Sequence, residues 1–578
     1  MRDSRNRSRI ILQEAAILLG LGVFSLLLHS WYFNVFLNVM PNALQPANDA
    51  KSYWEMGLKI YRDGIFLPND GPYYQAPLYP YWLAGLHYFG FHRIVEALRI
   101  QEWMSIANVL LCYSAGRLAA GRLTAALAAA LFGLCHYSLF FASKMLAETP
   151  GIFLFLLFSI FFLLWINKNK TAWLAVSAFC FSLAVLCRPN LLFFFPPVLL
   201  FCFIGRSGEA RTIAIPGLNL SLDRRGILFS SVFLLGILPA PLRNGIVGGD
   251  WVPICANSGV TLYMGTNEQA EGGLASVEGL SNDIEKQYTQ SIELASKLAG
   301  KELPPSQASS FWMKKTAAWA LSHPGKLLVL EIKKLLWALY SAPPAVNYSA
   351  HFESEWIGGL KALSWLTWLS VWGGLLALPW LWKGRTERFF LSLWGGYLLL
   401  SLVYYASDRF LAGMLPFTSI LTAMWIEAVW RRWREFPCTC LCPHPEGEGI
   451  CLGKRVLSIV MKCTARPILL IWIGITFVLT ANPFLAWNRE REIGMGWYNL
   501  GVFYEEKSND LRAMESYEKA LEACPVLPAA MLNLGVLYAE QGDLEKSTQL
   551  FLKVLSIEPK NQTAQRNLKI NRERMNDK

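Results

Sequence analysis

The 578-residue chain is short of charge and of histidine. Asp, Glu, Lys and Arg together make up only 16% of it, where a soluble globular chain carries roughly 25%. The seven histidines are scattered and form no ligand set. No Gly-rich phosphate loop ending in Lys-Ser/Thr is present, no His-Glu-x-x-His and no Gly-x-Ser-x-Gly. These absences exclude P-loop nucleotide chemistry, the helix-borne zinc hydrolases and the nucleophile-elbow hydrolases. What the chain has is apolar surface: 54% hydrophobic residues, 23 Trp, 34 Phe and a mean hydropathy of +0.31. Its net charge of +11 does not point to nucleic acid, because the basic residues gather in short loops between apolar runs.

Runs of about 17 to 25 apolar residues, long enough to span a bilayer, lie near 10–36, 97–116, 123–142, 149–166, 171–187, 190–205 and 227–246, then near 358–382, 389–406, 410–430 and 465–487. The first follows a basic start and is too long, without a small-residue cleavage site, for a signal peptide; it reads as a retained anchor. The pattern predicts an all-α polytopic bundle of about eleven transmembrane helices. Arg117, Arg122, Lys168, Lys170 and the basic stretches 206–225, 383–388 and 431–462 fall on alternate loops. The N-terminus is therefore expected in the cytoplasm of a cell (inner or plasma) membrane protein. Loops 37–96 and 247–357, and everything after residue 487, are expected outside, with the Cys-containing loop 431–464 inside. Amphipathic helices are expected near Ser306–Leu321 and Gly325–Tyr340, the second apolar enough to lie against the membrane.

The tail, 488–578, changes character. Trp497, Leu500, Gly501, Tyr504, Ala513, Tyr517, Ala520 and Pro525 recur about 34 residues later as Met531, Leu534, Gly535, Tyr538, Ser547, Phe551, Val554 and Pro559. Small residues let two helices approach, large ones fill the groove, and proline ends the second helix. The pattern resembles the tetratricopeptide repeat, with repeats about 494–527 and 528–561 and a closing helix over 562–578. The resemblance implies a surface for a protein partner, or else a stack that holds oligomers or packs on the external loop.

Charged groups stand at the external ends of the expected helices: Asp49, Glu148 in KMLAETP, Arg188 in LCRPN and Arg409 in SDRF, with Lys144 and Asp408 beside them. Each alone reads as an interfacial anchor or an interhelical ion pair. Together they put both signs of charge on one side of the membrane. The aromatic and proline-rich segment YYQAPLYPYW, from Tyr73 to Trp82, shares a loop with Asp49 and Tyr53. Its aromatics suit either sugar stacking or an interfacial belt, and Gln75 suits a hydrogen bond to a sugar hydroxyl.

Over residues of about 10–430 this order resembles the polytopic GT-C-type glycosyltransferases that use polyprenyl-phosphate sugars, the group of protein O-mannosyltransferases, aminoarabinose transferases and lipopolysaccharide galacturonosyltransferases. The resemblance implies Asp49 as catalytic base. It implies Tyr53, Tyr74, Gln75, Tyr79, Lys144, Glu148, Arg188, Asp408 and Arg409 around the substrate, Arg188 and Arg409 being suited to phosphate. Ala50 stands where the mannosyltransferases have Glu, and Gln75-Ala76-Pro77 where the aminoarabinose transferases have Glu-Lys-Pro, so neither sugar carries over. The implied partners are a polyprenyl-phosphate sugar, a protein or glycan/lipid acceptor and the bilayer, with no nucleic acid. No metal ligand and no definite cofactor is assigned, a divalent cation remaining open. The alternatives are a membrane-anchored repeat scaffold without enzymatic activity, and a glycolipid transporter or flippase. Cysteine adds little: of the 12, Cys112, Cys135, Cys180, Cys187 and Cys202 are placed as small hydrophobes in helices, Cys438 to Cys451 with His444 have enough groups for zinc but not the usual Cys-x-x-Cys spacing, and Cys255 and Cys524 are external candidates for pairing.

Overall fold

A computed structural model describes residues 2–68, 70–203, 212–215, 218–281, 284–378, 384–435, 474 and 487–576. Nearly all of the expected span at 465–487 and of the 431–464 loop, with its cysteines, lies outside them. The chain forms two compact units, one of 1–34, 46–344 and 363–481, the other of 35–45, 345–362 and 482–578.

The first unit is helical: α1 (Arg2–Val39), whose last residues belong to the second unit, α2 (Asp49–Asp63), α3 (Leu78–Tyr88), α4 (Ile94–Ala119), α5 (Arg122–Leu134), α6 (His136–Ala142), α7 (Glu148–Lys168), α8 (Thr171–Cys187), a 3-10 turn (Pro189–Phe194) and α9 (Phe195–Phe203). A hairpin of β1 (Thr212–Ile215) and β2 (Leu218–Asp223), antiparallel with Thr212 opposite Asp223, is the one departure from helix among the described residues. Then come α10 (Arg224–Ile237), α11 (Pro239–Ile246), α12 (Ser258–Gly265), α13 (Ile284–Ala299), α14 (Pro305–Ser322) and α15 (Pro324–Leu339). The unit resumes within α17 (Gly358–Ala377) and ends with α18 (Arg385–Val403) and α19 (Asp408–Glu435). The two amphipathic helices expected in the external loop are α14 and α15.

Helices stand at every expected span up to residue 430. Among the described residues, Ser8–Val39, Glu148–Lys168 and Asp408–Arg431 are long and apolar enough to cross a membrane. Two more are added if the pairs α5–α6 and α10–α11, bent by 56° and 41°, each count as one span. This is a membrane protein. Among the other expected spans, α8 and the Pro189–Phe203 segment are short, and α4 opens with Glu96, Arg99 and Glu102. Phenylalanine fills the bundle. Phe158 lies 4.9 Å from Phe181, Phe162 lies 4.8 Å from Phe389, and Phe155 lies 5.2 Å from Phe417, centroid to centroid. Aromatic pairs at these spacings lock α7 to α8, α18 and α19 through ring edges as well as buried area.

Two adjacent side chains at the end of α11 fasten the loop after α2. The Arg243 guanidinium donates to the carbonyls of Phe66, Leu67, Asp70 and Gly71 at 3.1, 2.9, 3.2 and 2.5 Å and lies 4.6 Å over the Tyr73 ring. Asn244 accepts from the Tyr73 amide at 2.9 Å and donates to Val252 and Ile254 at 3.0 and 3.1 Å. Loop carbonyls turned inward have to be matched, and this pair matches several of them.

The second unit holds α16 (Ala350–Trp356) and the tail, α20 (Trp487–Glu506), α21 (Asp510–Ala523), α22 (Pro528–Glu540), α23 (Leu544–Ile557) and α24 (Gln562–Asn576). The small positions of the repeat are used as read. A Cβ on Gly501 would meet the Tyr517 ring at 2.4 Å, and one on Gly535 would meet Phe551 at 2.7 Å. The closing helix docks through Asn571, which donates to Ser547 Oγ at 2.7 Å, while Ser547 donates to the Gly535 carbonyl at 2.6 Å. On α20, Trp497 meets Phe352 and Trp356 of α16, each at 5.4 Å. Glu492 accepts from the Ala345 amide at 2.9 Å and from Ser349 Oγ at 3.1 Å. The Cys255 and Cys524 thiols each donate to a nearby oxygen, Asn257 Oδ1 and the Val526 carbonyl.

Burial pushes the Glu492 carboxyl up to about 7, against the lowering effect of its two donors. A carboxyl raised on folding contributes stability that is fully present below its unfolded value and is lost as pH rises through the folded one. Unfolding of this unit, followed by circular dichroism, should therefore show stability falling between about pH 4.5 and 7. Glu492→Gln, which keeps an acceptor for both donors, should flatten that slope and stabilise the unit by roughly 1–3 kcal/mol at pH 8.

Candidate functional site

Three helices begin at one place in the first unit, and each begins with an acid. Asp49 opens α2, Glu148 opens α7 and Asp408 opens α19. An acid in the first turn suits the partial positive charge of a helix N-terminus. Burial then demands counter-charges, since an unpaired ionised carboxylate in an apolar interior is prohibitively costly. Arg409 supplies one. Its Nη1 donates to Asp49 Oδ2 at 2.5 Å and its Nε donates to Glu148 Oε1. Arg188, at the C-terminal cap of α8, supplies the other, with Nη2 3.5 Å from Glu148 Oε1 and Nη1 donating to the Arg409 carbonyl at 3.1 Å. Glu148 has no exposed surface, and Asp49, Arg188 and Arg409 are almost as deep. Asp408 accepts from the Arg409 amide at 2.7 Å.

The neighbours explain how Arg188 and Arg409 are held. A Cβ on Gly151, one turn into α7, would sit 2.7 Å from Arg188 Cδ, so glycine is what lets that side chain lie across the helix. The segment leading into α19 is pinned by the 247–344 region of the same unit. Ala406 N–H donates to the Gly272 carbonyl at 2.9 Å and Asp408 N–H donates to the Pro344 carbonyl at 3.2 Å. A Cβ on Gly265 would lie 1.9 Å from the Tyr404 carbonyl oxygen, so only glycine fits there.

Six of the sequence candidates thus gather: Asp49, Tyr53, Glu148, Arg188, Asp408 and Arg409. Tyr53 stands one turn along α2 from Asp49 with its ring edge-on to Tyr79 at 5.2 Å. Burial first, and the Asp49 charge second, hold its phenol well above the usual range. Gln75 is near, accepting from Ser52 Oγ at 2.8 Å. Lys144 is buried on the turn before Glu148, its ammonium 4.8 Å from the Phe140 ring centroid. Tyr79 is a layer behind, donating to Gln101 at 2.8 Å. Tyr74 is committed elsewhere: its hydroxyl donates to Gln287 at 3.0 Å and its ring packs on Tyr288 in the core around Trp312. Sequence reasoning missed Arg243, Asn244 and Gln101, which bond mainly to backbone carbonyls and so carry no motif; their only signal is a polar residue inside an apolar stretch. Among the described residues no three His, Cys, Asp or Glu side chains form a metal-holding group. Positive charge in this cluster comes from guanidinium.

Because Arg409 compensates two acids at once, its loss leaves both exposed to the full desolvation cost. Arg409→Met should destabilise the folded protein in detergent by roughly 3–5 kcal/mol. Adding Glu148→Gln should recover part of that loss, a coupling read from thermal unfolding of the two single variants and the double variant. Strict additivity of the two effects would remove the ion pair from the energetics.

The tetratricopeptide repeat model matches residues 496–526 and 528–561. A curated relative, the photosystem I assembly protein Ycf3 of Cyanophora paradoxa, is 34% identical over 62 residues, which is 10% of this chain and 36% of that protein. Among solved structures, the archaeal oligosaccharyltransferase AglB of Archaeoglobus fulgidus, in complex with an inhibitory peptide and a dolichol-phosphate, aligns at a TM-score of 0.42 and 14% identity over 87% of this chain. The Archaeoglobus fulgidus oligosaccharyltransferase tethered to an acceptor peptide aligns at 0.41 and 13% over 88% of this chain. The chain spans 59% of the length of these two solved proteins. Its tail, in sequence and in packing, is a pair of tetratricopeptide repeats with a closing helix.

Proposed function

We propose that this protein is a membrane glycosyltransferase of the GT-C type, moving a sugar from a polyprenyl-phosphate donor to an acceptor outside the cytoplasm, with Asp49 as general base. The observation that carries the reading is the gathering of Asp49, Glu148, Arg188 and Arg409 at three helix starts. The donor brings its own leaving group, so the protein has to supply a base, a cation for the departing phosphate, and a place for both.

In the proposed step the acceptor hydroxyl oxygen bonds to the anomeric carbon as the bond from that carbon to the phosphate oxygen breaks. The hydroxyl proton passes to Asp49, and the electron pair leaves on the polyprenyl phosphate. Direct displacement of this kind inverts the anomeric centre. Asp49 Oδ2 is engaged by Arg409, which leaves Oδ1 to take the proton. Arg188 is held to Glu148 more loosely, at 3.5 Å, and is the guanidinium better placed to turn toward a phosphate. Helix N-termini add partial positive charge on the same side.

The sidedness of the helices supports an external site. α7 runs from Glu148 to Lys168, and α19 runs from Asp408 to the Arg431–Arg434 stretch. The acidic ends lie at the site, while the basic ends lie one membrane thickness away, as the positive-inside rule places cytoplasmic ends. At that basic end Arg117 and Arg122 pair with Glu14 near the N-terminus, at 2.9 and 3.3 Å. In the expected topology the repeats follow the last span and are outside the cytoplasm, a reading that favours a protein acceptor.

Asp49→Asn keeps size and one hydrogen-bonding oxygen but removes the base. Incorporation from labelled polyprenyl-phosphate sugars in purified membranes, at matched expression, should fall by roughly 10²–10⁴ with yield and insertion unchanged. Equal incorporation by both proteins would remove Asp49 as the base.

A further inference from the structure

The α4 face turned toward α6 and α7 carries Gln101, Ser105, Asn108 and Cys112, spaced by four, three and four residues, so they stack along one side of the helix. All four are buried, and all four bond to backbone of other segments. Gln101 Nε2 donates to the carbonyls of Phe141, Ala142 and Lys144 at 3.1, 3.2 and 2.5 Å. Ser105 donates to the Ser138 carbonyl at 3.2 Å, Asn108 to Thr149 at 3.1 Å, and the Cys112 thiol to Pro416 at 3.6 Å. The three carbonyls that Gln101 meets belong to a break. The chain bends by 56° between α5 and α6, then leaves helix again between Ala142 and Glu148. Helix ends leave carbonyls without intrahelical partners, and in an apolar interior those must be met by side chains.

Gln101 differs from the rest of the row because its other end is also engaged. Its Oε1 accepts from the Tyr79 hydroxyl at 2.8 Å, and the Tyr79 ring meets Tyr53 edge-on at 5.2 Å. One fully buried amide therefore joins the aromatic wall beside Asp49 to the turn that carries Lys144 and delivers Glu148. A primary amide has two donors and one acceptor oxygen, and here both kinds are used.

We propose that Gln101 is the positioning residue that registers the 143–147 turn, with Lys144 and Glu148, against the Tyr53–Tyr79 wall beside Asp49. The proposal rests on the transfer reading of the Asp49–Glu148–Arg409 site for its catalytic meaning, but the registry itself has a readout that needs no sugar. In the full chain held in lipid nanodiscs, Lys144 is buried and should react slowly with a small amine-acylating reagent. Lys59, whose side chain is 45% exposed, serves as the internal reference. Gln101→Leu should speed acylation of Lys144 by roughly tenfold relative to Lys59, and Tyr79→Phe, which removes one hydroxyl, by about two- to threefold. Gln101→Glu keeps the acceptor for Tyr79 but regains a donor only when protonated. Its Lys144 reactivity should return toward that of the parent protein as pH falls.

In sugar transfer, Gln101→Leu should lower kcat by roughly tenfold and leave KM for the lipid donor within about twofold, with kcat of Gln101→Glu rising toward acidic pH. Unchanged Lys144 acylation in Gln101→Leu overturns the registry. Faster acylation with unchanged kcat overturns its catalytic role. If Gln101→Leu does not insert, Tyr79→Phe and Gln101→Glu decide by the same two measures. If the parent protein transfers no sugar from any donor, the transfer reading fails by itself, and the acylation result still decides the registry.

Discussion

Two carboxylates brought out of water must each be faced by a cation, and at the head of this bundle one guanidinium faces both. Arg409 reaches Asp49 on α2 and Glu148 on α7 from the start of α19, so three helix starts are fixed by one side chain. Such an arrangement is weak evidence for stability, because desolvation offsets much of the attraction. It is strong evidence of specificity in placement: any shift of α2, α7 or α19 would strand a charge. The surrounding features follow from that demand. Gly151 makes room for the second arginine, Gly272 and Pro344 pin the turn that precedes Arg409, and Arg243 with Asn244 holds the loop that follows α2.

The parts of this arrangement that a sequence can reveal are those whose residue type is improbable where it stands. Asp49, Glu148, Arg188 and Arg409 are charges at the ends of apolar runs, and their common side follows from counting basic loops. The repeats are legible because packing Gly501 on Tyr517 and Gly535 on Phe551 fixes residue sizes at a fixed period. Gln101, Arg243 and Asn244 were not legible, since a carbonyl group looks alike in every residue and their partners lie up to 177 positions away. Tyr74 shows the reverse case. It shares a segment with Tyr79 and Gln75, yet its hydroxyl belongs to Gln287 and to a different core, because successive residues of an irregular loop face different ways. A count of apolar runs also cannot register that the expected span at 123–142 is two helices, α5 and α6, bent by 56°.

The repeat unit obeys a different solvent. Its core is set by side chains of complementary size around Tyr517 and Leu534, and its first helix is covered by α16 through Phe352 and Trp356. A terminal repeat helix has one apolar face with no preceding repeat to cover it, and here a segment from before α17 does so. Glu492 sits under that cover with both oxygens engaged, an acid buried where a repeat stack in water would expose it.

The division of labour between the two arginines follows from their geometry. Arg409 is committed twice over and serves the acids, whereas Arg188 touches Glu148 at the limit of an ion pair and spends its other nitrogen on a backbone carbonyl. A phosphate entering the proposed site adds negative charge to a cluster in which Asp49 and Glu148 already balance the two arginines. It is accommodated only if an arginine turns toward it, and the looser one requires the smaller rearrangement. In the proposed transfer, charge building on the departing phosphate would draw Arg409 the same way and slacken its hold on Asp49. The carboxylate would then be free to accept the proton when the acceptor must lose it. Under that proposal, binding of the leaving group and activation of the base would be two consequences of one displacement of positive charge.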